Sequence, residues 1–176
     1  LPARDLLLLV EAARAAGKIA TGFAGLTAAR WDKPDDAGPV TEADLAVDAM
    51  LRRDLGDARP DYGWLSEETP DSTDRLQTER QFIVDPIDGT RAFIKGEPSF
   101  SHALAIAERG QIVAGVVYLP ATDQMFTAVK GQGAWLNGAQ ITGVSHAATP
   151  PNLLATKPNF KPECWPGGVP DVTRHF

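Results

Sequence analysis

From Phe82 onward the chain is punctuated like a sheet of short, locally connected strands. Phe82–Val84, Ser101–Ala107, Ile112–Tyr118, Gln124–Val129 and Gly133–Leu136 are strand-like runs. Glu108-Arg109-Gly110 joins two of them as a hairpin, and Asn137-Gly138 is a strong turn signal. Strands joined by turns this short predict an antiparallel sheet. Upstream, Leu6, Val10, Ala13, Ala16, Gly17 and Ala20 recur at helical spacing and predict a helix over residues 3–24. A Pro/Gly/Asp loop follows from Asp32 to Pro39. Thr41-Glu42-Ala43-Asp44 reads as a capping box, and Leu45, Ala49, Leu51 and Leu55 carry a second helix to Gly56. Tyr62–Leu65 is a short strand ending at Ser66-Glu67-Glu68, and Thr69 to Arg80 is a polar loop with a helical turn. Two helices covering one face of an antiparallel sheet make an α+β layered sandwich.

The 176 residues suffice for one domain and the start of a second. The expected division is residues 1–146 for the α+β domain and 147–176 for the rest. From Ala147 the chain is Pro-rich, reading as a linker, and Leu153–Ala155 reads as the first strand of a truncated second α/β domain. The net charge of −6 argues against nucleic acid polymers and anionic membranes as partners. It does not argue against a phosphorylated substrate, because divalent cations reverse the local sign. The acidic residues are uneven: 13 of the 23 Asp and Glu fall between residues 41 and 90. A lone cysteine, Cys164, forms no internal disulfide, and a reducing, cytoplasmic setting is expected. With no CxxC or His/Cys cluster, a zinc site is not expected. The apolar run Leu6–Val10 is too short to span a bilayer.

Chemistry concentrates at Asp85-Pro86-Ile87-Asp88-Gly89-Thr90, directly after Phe82-Ile83-Val84. A proline is expected to stop the ladder between two carboxylates, and Gly-Thr stands where a helix would open. Alone, this is equally a strand followed by an Asp-Gly turn, with Asp88 as a helix N-cap. Context favours a site. Asp85 ends a strand that reads as buried, where an unpaired carboxylate is costly. A hard cation relieves that cost and the repulsion between neighbouring carboxylates. The Ile87 carbonyl, lacking a ladder partner, is a spare oxygen ligand. The N–H groups of Gly89 and Thr90 face outward, towards an anion.

Other residues keep two readings. Glu67, just after a strand, reaches the same metal as Asp85, or belongs with Glu68 to a solvated acidic loop. Asp44 caps its helix or joins the site. Arg91 and Lys95 bind substrate phosphate or charge a helix face. Lys33 reads as an ordinary surface lysine. His102, His146 and His175 have no ligand spacing and read as structural or surface residues. Trp31, Trp64, Trp135 and Trp165 read as packing.

At these residues the chain resembles the inositol monophosphatase family of lithium-sensitive, magnesium-dependent phosphomonoesterases. Asp85–Thr90 matches its first signature, Glu67-Glu68 its upstream acidic pair, and Pro39-Val40-Thr41-Glu42-Ala43-Asp44 the segment supplying a further aspartate. Gly115-Val116-Val117-Tyr118 and Gly131-Gln132-Gly133-Ala134, with Asn137-Gly138 beyond, match its later sheet. The likeness runs in order from about residue 5 to residue 155. It implies that Glu67, Asp85 and the Ile87 carbonyl hold one Mg2+ ion and that Asp85 and Asp88 share a second, with two or three ions in all. It implies that Asp44, near a further metal and supported by Thr90, orients the attacking water, while Glu67 holds a metal-bound water. Asp88, Gly89, Thr90 and Arg91 would bind substrate, in an in-line displacement without a phosphoenzyme. A small phosphorylated metabolite is the implied partner, and a homodimer is compatible with the family.

One departure stands out. The family carries a Trp-Asp motif in its C-terminal half, and here the one Trp-Asp is Trp31-Asp32, before the capping box. The chain ends at Phe176, soon after a second domain should begin, so weak activity or none is expected of residues 1–176. Leu65-Ser66-Glu67-Glu68 and Asp88 to Gly96, with Arg91 and Lys95, look closest to the bacterial 3′(2′),5′-bisphosphate nucleotidase branch. Inositol monophosphate or a 3′(2′),5′-bisphosphonucleoside is therefore the expected substrate. A fructose-1,6-bisphosphatase-like sugar phosphatase and a non-catalytic acidic, cation-binding domain are the alternatives. An aspartyl-phosphate phosphotransferase fits less well, because its two aspartates stand two residues apart rather than three.

Overall fold

Leu9, Ala13, Ala16 and Ala20 are fully buried along one stripe of the first helix, α1 (Pro2–Gly22). Small side chains on that stripe let the helix lie close to whatever covers it. In the computed structural model, which describes residues 2–23, 27–34, 38–143 and 161–169, the cover is a sheet and a second helix. The closest approach is at Gly17, where a Cβ would stand 2.7 Å from the Tyr118 ring and 3.0 Å from Pro120.

The second helix, α2 (Glu42–Ala58), is opened by the expected capping box: Asp44 N donates to the Thr41 hydroxyl, and Thr41 N donates to the Asp44 carboxylate. Val47, Leu51 and Leu55 are buried along its inner face. A two-stranded antiparallel ribbon, β1 (Arg30–Asp32) with β2 (Pro39–Thr41), leads into it. The sequence predicts a loop from Asp32 to Pro39 here. A ribbon of three-residue strands has too short a pattern to show alternation.

The main sheet has seven strands: β3 (Gly63–Ser66), β4 (Arg80–Asp88), β5 (Ser101–Glu108), β6 (Gln111–Leu119), β7 (Gln124–Val129), β8 (Gly133–Leu136) and β9 (Ala139–Ile141). They lie in chain order, and each pair from β4 to β9 is antiparallel. The turn between β8 and β9 is Asn137-Gly138, with φ of 49° and 81° as a two-residue hairpin requires. Phe82, Val84, Leu104, Ile106, Ala114 and Val116 pack one face of the sheet into a single core with α1 and α2. The expected α+β sandwich is therefore present.

Two details differ from expectation. β3 and β4 pair in parallel, through a connection that includes a 3-10 turn at Thr73–Gln77, so the sheet is mixed rather than wholly antiparallel. Pro86 does not stop β4 either. The strand continues to Asp88 through a register shift, because a residue lacking an N–H is tolerated where the ladder is already broken. A short helix, α3 (Thr90–Ile94), follows.

The described residues fall into one unit within Leu1–Thr142 and another within Gly143–Phe176. Of the second, residues 161–169 are described and contain a 3-10 turn at Pro162–Cys164. The expected boundary at 146/147, the strand at Leu153–Ala155, His146 and His175 lie outside the described residues, as does residue 24 of the first helix. Among the described residues no helix is long and apolar enough to cross a membrane.

The Gly17 contact makes a prediction. Gly17→Val should overpack the α1–β6 contact and cost about 2 kcal/mol or more. Urea unfolding measures it, and an unchanged midpoint would contradict the close approach.

Candidate active site

Parallel pairing of β3 with β4 sends both strands to the same pole of the sheet. Ser66 lies beside Val84, and Glu67 N donates to the Val84 carbonyl at 3.1 Å. Glu67 therefore emerges level with Asp85. The sequence places these residues on two strands; the pairing direction brings them together.

The capping box of α2 faces the same pole. Asp44 and Thr41 are fully buried. Asp44 Oδ2 accepts from Thr41 N at 2.8 Å and from the Thr41 hydroxyl at 2.5 Å. The Thr90 hydroxyl lies 3.2 Å from Asp44 Oδ1 and 3.1 Å from the Ile87 carbonyl, and donates to one or the other. Asp44 is thus both half of the helix's capping box and a neighbour of the Asp85–Thr90 segment. Burial raises its carboxyl above the ordinary range, while the bonds from Thr41 and Thr90 hold it down in part.

Gly89 takes φ +90°, and a Cβ there would stand 2.9 Å from the Ser99 carbonyl oxygen. Its position thus favours glycine on two grounds. Asp88 is exposed and accepts weakly from the Ser101 hydroxyl at 3.4 Å. Arg91 and Lys95 are exposed on or just after α3, Lys95 beside Glu97 at 3.8 Å.

Asp85 is the anomaly. Its Oδ1 is buried and has no hydrogen-bond partner. Burial, then the charges of Glu67 and Asp88, push its carboxyl up to about 7. A carboxyl in that setting gains strongly from a cation. Three of the expected ligands, Glu67, Asp85 and Asp88, act on one another here, and the donor set is all oxygen, as magnesium prefers. Among the described residues, though, no three acidic, histidine or cysteine side chains already close on one point.

Three further residues matter here. Lys33, read as a surface lysine, has a side chain only 14% exposed, and its ammonium bonds Glu67 at 2.8 Å and Glu68 at 2.7 Å. Burial alone would lower its pKa, but the two glutamates raise it. Glu68 is raised by its own burial, with Lys33 opposing. Asp48, one turn after Asp44, binds the Ser66 hydroxyl at 2.5 Å and the Thr69 hydroxyl at 2.7 Å, tying α2 to the end of β3. His102 is fully buried, with Nδ1 2.5 Å from the Pro86 carbonyl. For Asp48, the spacing of four from Asp44 was a usable signal; for Lys33 and His102 the local sequence held none.

Comparison with known proteins decides the family. A sequence model of the inositol monophosphatase family matches residues 4–162. The chain belongs to the inositol monophosphatase family. It is 38% identical over 144 residues to an inositol-1-monophosphatase of Rhizobium meliloti, covering 79% of this chain and 53% of that protein. It is 40% identical over 131 residues to a histidinol-phosphatase of Mycobacterium tuberculosis, covering 74% and 50%. The crystal structure of the extragenic suppressor protein suhB from Bartonella henselae superposes with a TM-score of 0.80 at 32% identity, covering 87% of this chain and 59% of that one. This family member thus spans about half the length of the curated relatives it matches.

The Asp85 environment makes a prediction for the metal-free chain. A carboxyl raised from 3.8 to about 7 adds stability that is complete below the lower value and lost as pH rises through the upper one. Asp44 and Glu68 act with the same sign. His102, held below its ordinary 6.5 by burial, acts oppositely in acid. The readout is therefore the difference in melting temperature between wild type and Asp85→Asn in chelator. Asp85→Asn should gain on wild type by roughly 5 °C between about pH 5 and pH 8. Parallel profiles would contradict the raised Asp85 carboxyl.

Proposed function

We propose that this chain carries the metal- and phosphate-binding part of a magnesium-dependent phosphomonoesterase. The observation that carries the reading is the partnerless, buried Asp85 Oδ1, set among Glu67, Glu68 and Asp88 and beside the Gly89-Thr90 turn. Family membership and relatives named as phosphatases support it. Residues 1–146 would form this part, and 147–176 a linker and the start of a second domain.

In this reading Glu67, Asp85 and the Ile87 carbonyl hold one Mg2+ ion, and Asp85 with Asp88 a second; Asp44 lies near a further one. When bound, the ions supply charge neutralisation on the phosphate and lower the pKa of water for in-line attack. The chain's own groups do the placing. Asp44, fixed by Thr41 and Thr90, accepts a hydrogen bond from the attacking water and orients it. Glu67 takes a second water. Gly89 and Thr90 lie against the phosphate, where a side chain at 89 would crowd the backbone. Arg91, exposed beside them, meets substrate charge. The substrate is a small phosphorylated metabolite, an inositol monophosphate or a 3′(2′),5′-bisphosphonucleoside, and lithium sensitivity is expected of the reaction.

The test has two arms, both on the 176-residue chain. Calorimetric titration should show saturable Mg2+ binding that Asp85→Asn abolishes. Phosphate release from myo-inositol 1-phosphate, adenosine 3′,5′-bisphosphate and fructose 1,6-bisphosphate, with and without lithium, then ranks the substrates. Whatever turnover wild type shows, Asp88→Asn should lower it by about 100-fold or more with the melting temperature unchanged. Turnover unaffected by Asp88→Asn, or an absence of Mg2+ binding, would sink the reading.

A further inference from the structure

β4 pairs Asp85 with Ala103 and Asp88 with Ser101 on β5. Two residues, Pro86 and Ile87, thus stand opposite one, His102. This is a β-bulge. Its consequence is specific. In a regular strand, residues three apart point to opposite faces. One extra residue restores the phase, so Asp85 and Asp88 face the same side, as their partners Ala103 and Ser101 do. Convergence of the two carboxylates depends on this bulge.

A bulge must satisfy its own polar groups. Pro86 has no N–H to offer. Its carbonyl is met by His102 Nδ1, while the Ile87 carbonyl shares the Thr90 hydroxyl with Asp44 Oδ1. A carbonyl can only accept, so Nδ1 carries the imidazole proton. Nε2 is then a buried acceptor, and among the described residues it has no partner. The ring is wedged between Phe100 and Tyr118, at centroid distances of 6.1 and 6.4 Å. An aliphatic side chain would fill that space without stranding Nε2, but it could not donate to Pro86. What this imidazole adds beyond packing is one donor, aimed at the bulge.

We propose that His102 is a positioning residue for the metal site: its Nδ1–H clamps the Pro86 carbonyl and holds the bulge that turns Asp85 and Asp88 to one side. The inference rests on the metal-dependent reading above. It separates two contributions of one side chain. Ring packing supports stability; the donor supports carboxylate geometry.

The test measures Mn2+ affinity of the 176-residue chain by electron paramagnetic resonance, together with melting temperature. His102→Leu removes the donor and keeps the bulk; His102→Met is a second donor-free variant should the first fail to fold. His102→Asn places an amide N–H near the position of Nδ1 and loses the ring. The donor-free variants should weaken Mn2+ binding by about 10-fold, the lower end of what losing an outer-shell partner costs, because His102 acts through the Pro86 backbone rather than on a ligand directly. His102→Asn should stay within about threefold of wild type, even though its melting temperature falls at least as far as that of His102→Leu. Affinity that follows melting temperature rather than the donor would overturn the proposal, as would wild-type affinity in His102→Leu. If wild type binds no Mn2+, or Asp85→Asn binds as wild type does, the metal reading itself falls and takes the proposal with it.

Discussion

A strand carboxylate with a buried oxygen has to be compensated, and the pole of the sheet around Asp85 is organised by that requirement. Lys33 pairs with both Glu67 and Glu68 at hydrogen-bond distance and offsets one of their two charges. Nothing among the described residues donates to Asp85 Oδ1, and the nearest charges repel it. Low dielectric makes such repulsion strong and a cation's attraction stronger still. The pole therefore combines a fixed scaffold with one carboxyl left without a compensating charge among the described residues.

The scaffold is fixed largely by α2. Val47, Leu51 and Leu55 bury its apolar side and set its height over the sheet. Its polar side then reaches two strands at once. Asp44 is bridged by Thr90 to the Asp85–Thr90 segment, and Asp48, a turn further on, holds Ser66 and Thr69 at the end of β3. Hydrophobic burial supplies the energy and two carboxylates supply the aim.

Much of this was legible in the chain. Turn pairs such as Asn137-Gly138, the Thr41-x-x-Asp44 cap and the strand periods of β5 to β7 are local signals, and the elements appear where those signals stand. The Asp85–Thr90 segment announced itself through unusual residue order. Lys33 was misread because its partners lie 34 and 35 residues away, and no local pattern marks an ion pair at that range. The ribbon of β1 and β2 was too short to alternate visibly. Pro86 was read as ending a ladder because a proline's missing N–H is a local fact, whereas the bulge that accommodates it depends on His102 in another strand.

Residue types and their near neighbours thus decided where helices cap, where hairpins turn and which carboxylates are available. They did not decide which carboxylates meet. Glu67 reaches Asp85 because β3 joins the sheet in parallel; antiparallel pairing would have sent the two strand ends to opposite poles. Asp85 and Asp88 face one way because a bulge shifts the phase of β4 by one residue. Strand direction and register are set by contacts between segments far apart in the chain. The Asp85–Thr90 hexapeptide supplies two carboxylates and a Gly-Thr turn, and the tertiary fold sets the carboxylates on one side of the strand.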